Sequence, residues 1–152
     1  MLRLTLAEAR HLRLVPVVES PPALRPLPPE GLVLPLTARP RPPKVRKHHW
    51  DSSPAVKAYF AYRDRVQVLT TGYDVPTVGL SVTFVMPMPR SWPKRQQAAM
   101  LGQYHRARPD VDNLLGGLLN ALWPDCDEQV AYLRVGKYWG VDGHIILRQM
   151  EG

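Results

Sequence analysis

The chain has 152 residues, 45% of them hydrophobic and 22% charged, with a formal net charge of +7. That suits a single domain with one buried core, and no apolar run approaches the roughly 20 residues that a membrane-spanning helix needs. The lone Cys126 excludes an internal disulfide framework and a cysteine-built zinc site, which fits a reducing cytoplasm.

The charge is unevenly placed. Residues 1–109 carry 17 Lys/Arg against 6 Asp/Glu, a balance of +11, whereas residues 110–152 carry 3 against 7, a balance of −4. A basic surface attracts phosphates by releasing their counterions. An acidic strip beside it asks for a purpose, and holding a cation is one.

In chain order, "MLRLTLAEARHLRLVPVV" has scattered arginines and a glutamate but no clean apolar core, so no secretory signal is expected. Residues 1–30 read as an appendage, with a short helix over 6–14 and a Pro-rich tether, "VESPPALRPLPPEG". A short strand over Leu32–Leu36 follows. The basic loop after it offers Arg39, Arg41, Lys44, Arg46 and Lys47 as phosphate contacts, with Trp50 beside them to stack. Ser53 and Pro54 are a good helix start. Ala55, Tyr59, Tyr62, Val66 and Leu69 keep helical spacing until Gly72 stops it. "TVGLSVTFVM" alternates, with Val78, Leu80, Val82, Phe84 and Met86 on one face, and predicts a strand. A long basic connection comes next, with a short helix at Lys94–Leu101; connections this long usually carry function.

"RPDVDNLLGGLLNAL" (108–122) then predicts an amphipathic helix with Val111, Leu114, Leu115, Leu118, Leu119 and Leu122 as its apolar stripe. Asp110 stands at the cap position, where it can accept the N–H of Asn113, and Asp112 lies in the first turn, where the helix dipole favours an anion. Capping explains both aspartates. So does a metal site, and two features favour it. Gly116 and Gly117 each cost the helix about 1 kcal/mol relative to alanine, which suggests close approach to the backbone. A second acidic cluster, "PDCDEQV", opens the next strand. At about 1.5 Å per residue the two acidic ends lie some 20 Å apart along the helix. They meet only if the loop climbs back or the strand passes the helix N-terminus. "QVAYLRVGK" predicts that strand; a Trp/Gly/Asp-Gly turn and a last strand, "HIILRQM", close the chain. Read alone, loop histidines such as His105 are surface residues, His48, His49 and His144 lack metal spacing, and Trp92 and Trp123 belong to the core or an interface.

"RPDVDNLLGGLLNALWPDCDEQVAYLRVGK" resembles the RusA-type Holliday-junction resolvases, with their D-x-D-N-L helix, an A-L near its end, an acidic pair before Q-V and a strand ending in lysine. "PRSWPKRQQAAMLGQYH" is similar to the phage and prophage branch of that family. The likeness is close over 82–137, looser over 31–81 and absent over 1–30.

The resemblance implies a small α/β (α+β) domain over 31–152, with a mixed sheet of about four strands and two main helices. It implies a homodimer that nicks four-way DNA junctions with Mg2+ or Mn2+, in a bacterial or phage setting. It assigns Asp110, Asp112 and Asp127 as metal ligands and catalytic residues, with Asp125 as a stand-in for the third. Lys137 becomes a catalytic lysine, and Lys94, Arg95, His105, Arg106 and Arg108 join the DNA contacts. The chain departs from the family where Gly116 replaces a lysine, Asn120 an aspartate and Cys126 the first of the acidic pair. Gly116 keeps a second reading open: a junction-binding protein whose cleavage is weakened or lost.

Overall fold

The computed structural model describes residues 23–36 and 54–151. The basic loop residues Arg39, Arg41, Lys44, Arg46 and Lys47, and with them His48, His49, Trp50, the cap Ser53 and the helix expected over 6–14, lie outside the described residues.

The strands are β1 (Arg25–Pro26), β2 (Leu32–Pro35), β3 (Tyr73–Asp74), β4 (Val78–Pro87), β5 (Tyr132–Gly140) and β6 (His144–Gln149). The helices are α1 (Pro54–Thr70), α2 (Lys94–Met100) and α3 (Val111–Leu122). Four strands form one mixed sheet in the order β2-β6-β4-β5, and β1 pairs with β3 in a separate parallel pair. β4 and β5 run parallel from Val78↔Tyr132 to Pro87↔Gly140. A parallel pair needs a long crossover, and the basic connection with α2 and α3 supplies it. β6 is antiparallel to both β4 and β2. This is the expected α+β architecture.

The core lies between the sheet and α1 and α3. Alternation along β4 turns Leu80, Val82, Phe84 and Met86 inward, where they meet Tyr62 and Val66 of α1, Leu114, Leu118 and Ala121 of α3, Ile145 and Leu147 of β6 and Leu34 of β2. Burying each large apolar side chain contributes about 1.5–3 kcal/mol.

Three details depart from the sequence reading or were left open by it. Val78 is 64% exposed, because a bulge between Val78 and Leu80 breaks the alternation. Gly79 makes that bulge with φ +85°, a conformation that side-chain-bearing residues resist. The last two strands are not neighbours. The link Val141–Gly143 passes over the end of β4, where a Cβ on Gly143 would stand 3.0 Å from the Leu36 side chain and 3.1 Å from Pro87. Finally, residues 23–30 are part of the domain rather than a loose tether: β1 pairs with β3, and Leu27 is buried in the core.

Candidate active site

The site is built on the outer edge of β5. An exposed strand edge presents unpaired backbone groups, and the segment after α2 covers this one. Gly102 N–H donates to the Trp139 carbonyl (2.9 Å), Trp139 N–H to the Gln103 carbonyl (2.9 Å), and His105 N–H to the Lys137 carbonyl (2.9 Å). The Tyr104 and Tyr138 rings lie 5.3 Å apart across this pairing.

His105 was expected as a surface or DNA-contacting residue. It is instead buried, at 6% exposure, with its ring 4.1 Å from that of Trp139. Its Nδ1 has no hydrogen-bond partner. Desolvation first, and then the nearby Lys137 ammonium, hold the imidazole pKa below its ordinary value, opposed by a backbone hydrogen bond.

Beyond His105 the chain leaves the strand and is caught by a side chain. Lys137 Nζ donates to the carbonyl oxygens of Ala107 (2.6 Å) and Pro109 (2.7 Å). Such short, charge-assisted bonds are the stronger kind. The Arg108–Pro109 peptide is cis. Asp110 follows as the N-cap of α3, with extended backbone (φ −68°, ψ 147°) and its carbonyl accepting the Leu114 N–H at 3.1 Å. Its carboxylate makes no capping hydrogen bond, contrary to the expected bond from Asn113. Asp112 stands in the first turn of α3.

The result is one open cleft of about 570 Å³ lined by His105, Arg106, Arg108, Asp110, Asp112 and Lys137, together with Ala107 and Val111. The two aspartates and the two arginines are exposed. Lys94 and Arg95 are exposed on α2, which has no buried residue.

Asp127 is not among the cleft residues. It begins a 3-10 turn, Asp127–Gln129, in the link from the C-terminal end of α3 to β5. A helix of 12 residues separates its two ends by about 18 Å. Among the described residues no three His, Cys, Asp or Glu gather to hold a metal. The expected convergence of Asp127 with Asp110 and Asp112 is therefore not seen among the described residues. Asp125 is likewise exposed in the turn after α3. What passes the helix N-terminus is the far half of β5, and it brings Lys137. The carbonyls of Ala107 and Pro109 as lysine acceptors, and Trp139 as the partner of His105, were missed in the sequence because no side-chain pattern marks backbone acceptors or an edge pairing across more than thirty residues.

On the helix, Gly117 is buried beside Leu114, Leu118 and Ala121, whereas Val111 is 41% exposed. The glycine pair therefore has one member on the packed face, and Gly116 is half-buried beside it. Trp92, with its ring 4.9 Å from Trp139, and Trp123, packed on the core, take structural places as expected. His144 Nδ1 lies 2.7 Å from the Asp142 carbonyl.

Two carboxylates in a cleft bordered by arginines, on an α+β domain, fit the class of phosphodiester-cleaving nucleases. The particular family is shown by comparison with family models. The model of "Endodeoxyribonuclease RusA" matches residues 29–148, and the chain belongs to that family. Its members are endodeoxyribonucleases of the Holliday-junction-resolving type that act on branched DNA and generally depend on a divalent metal. No curated protein and no solved structure matches the chain.

The acidic pair fits such a metal. A hard cation such as Mg2+ keeps several waters and binds through one or two carboxylates plus substrate phosphate, and Asp110 and Asp112 offer that donor set beside an open cleft. No described helix is long and apolar enough to cross a membrane.

Proposed function

We propose that this protein is a divalent-metal-dependent endonuclease that resolves four-way DNA junctions by paired nicks, with the cleft at the N-terminus of α3 as its active site. The observation that carries this reading is the Asp110 carboxylate. It occupies the cap position yet makes no capping bond and lines the same cleft as Asp112, so helix capping does not account for it. Asp110 and Asp112 would hold Mg2+ or Mn2+, and when bound the ion supplies an activated water and neutralises charge at the scissile phosphate.

The chain's own groups do the rest. Arg106 and Arg108, exposed at the cleft, attract the phosphate backbone and offset the repulsion between DNA and the aspartates. Lys94 and Arg95 on α2 extend that basic surface, and the loop residues Arg39, Arg41, Lys44, Arg46 and Lys47 are further contacts proposed from sequence. The N-terminal end of α3 adds its dipole to the binding of anions and of the carboxylates themselves. A homodimer would present two equivalent sites to the two equivalent strands of a junction.

The test is a labelled synthetic four-way junction incubated with and without Mg2+. Paired nicks that require the metal and disappear in Asp112→Asn support the reading. Tight junction binding without any cutting sinks the enzyme and favours the second reading, a junction-binding protein, for which Gly116 in the family's lysine position is the specific observation.

A further inference from the structure

We propose that Lys137 is a positioning residue: its ammonium clamps the loop that delivers Asp110 and Asp112, and so sets the metal affinity of the site rather than contacting the scissile phosphate. This deepens the functional reading above and rests on it for the metal alone. The clamp itself stands on geometry.

The backbone pairing between the post-α2 segment and β5 ends with the His105 N–H to the Lys137 carbonyl (2.9 Å). Four residues then lead from His105 to Asp110, and across them the main chain must turn off the sheet edge into the cap of α3. Lys137 serves this stretch from both sides. Its carbonyl anchors the entry at His105, while its Nζ holds the Ala107 carbonyl at 2.6 Å and the Pro109 carbonyl at 2.7 Å. Pro109 is the residue directly before the first aspartate. An ammonium has three donors, and these two bonds commit two of them to the backbone.

Beside it, the buried His105 ring against Trp139 (4.1 Å) fixes the start of the same loop by packing. The two supports therefore hold the loop at its entry and at its exit. Strand β5 is itself paired to β4 along its whole length, so Lys137 transmits the rigidity of the sheet to the two carboxylates. Ligands held in place by such supporting groups bind metal about 10–100-fold better than the same ligands without them.

Charge and position predict opposite signs. As a bare positive charge at the cleft, Lys137 repels a divalent cation, so removing it would tighten metal binding. As a clamp, removing it loosens the aspartates and weakens metal binding.

Lys137→Met keeps the aliphatic stem and removes all three donors. Two measurements on purified full-length protein decide the matter. The first is amide hydrogen exchange in the metal-free protein: exchange over Ala107–Asn113 should rise while the rest of the sheet, and the melting temperature, hold. The second is Mn2+ binding followed by the paramagnetic resonance of the free ion: affinity should fall about tenfold, with partial recovery in Lys137→Arg, whose guanidinium can still donate to both carbonyls. Unchanged loop exchange overturns the clamp. So does Mn2+ affinity that is unchanged or higher in Lys137→Met. A wild-type protein that binds no Mn2+ defeats the metal reading, and the exchange measurement then still decides the clamp. Should Lys137→Met fold poorly, Lys137→Gln with the same two readouts replaces it.

Discussion

The two ends of α3 carry the same chemistry in sequence and differ in structure. At the N-terminal end, Asp110 and Asp112 share a cleft with Lys137, Arg106 and Arg108. At the other end, Asp125 and Asp127 sit exposed in the link to β5, with no cation of the cleft beside them. What separates them is direction of travel. β5 starts at the C-terminal end of α3 and runs back past its N-terminus, so the strand carries Lys137, rather than the acids that open it, to the site. Carboxylates become a candidate centre where a second element returns with a complementary charge. A cluster that is merely dense in sequence does not.

The largest effect that sharpens this contrast is on cleavage. Asp112→Asn should lower the junction-cleavage rate by at least about 1000-fold, the scale on which phosphoryl-transfer sites respond to losing a charged group, measured under single-turnover conditions with Mg2+. Mn2+ affinity should fall with it, whereas Asp127→Asn should leave that affinity nearly unchanged, since Asp127 opens the turn beyond the far end of α3 and neither lines the cleft nor braces its loop. Equal losses in the two variants would break the comparison, and would mean that the far carboxylate reaches the cleft from a partner subunit.

A smaller effect concerns the helix between the two ends. Gly116→Lys should raise the cleavage rate if the missing family lysine limits it. It should also stabilise the fold by up to about 1 kcal/mol, because lysine is the better helix former; denaturant titration reads the second part without reference to activity. A fall in stability would show that the half-buried Gly116 is needed for close packing.

Binding should respond at one end only. Arg108→Ala should weaken junction binding in Ca2+ and reduce its salt slope by about one unit, as for the loss of one phosphate contact. Removing charge in the link at the other end, by Asp125→Asn, should leave that slope as it is.

The smallest effect is in pH dependence. His105 has its pKa lowered in the folded state, so the unfolded chain takes up a proton first as pH falls. The stability contribution of the neutral ring is complete above the ordinary imidazole pKa of about 6.5. It is lost as pH falls from there through the lowered folded value. His105→Gln should flatten the decline of melting temperature between about pH 7 and 5, relative to wild type. An unchanged slope would show that the buried ring does not control it.

Much of this molecule was legible in its sequence. The spacing of Tyr59, Tyr62 and Val66 marked α1, the alternation Leu80–Met86 marked β4, and Leu114 with Leu118 marked α3, because a helix or strand must place its apolar residues at its own period to bury them. The D-x-D-N-L helix and the strand ending in Lys137 carried the resemblance that the match over residues 29–148 bears out. The resemblance also singled out Asp110, Asp112, Asp127 and Lys137, of which Asp110, Asp112 and Lys137 line one cleft and Asp127 does not.

Only the tertiary structure decided how they meet. Hydrophobic periodicity encodes which face of an element is buried, but not which strand lies beside which. The order β2-β6-β4-β5, with the last link crossing the end of β4, left no trace in the pattern. Nor did the burial of His105, which depends on Trp139 arriving from β5, or the two carbonyls gripped by Lys137. Those are contacts between residues about thirty positions apart, and main-chain oxygens look alike at every position of a sequence. The chain by itself thus supplied the charges and the periodicities. Packing of the strand against the loop chose which charges came together.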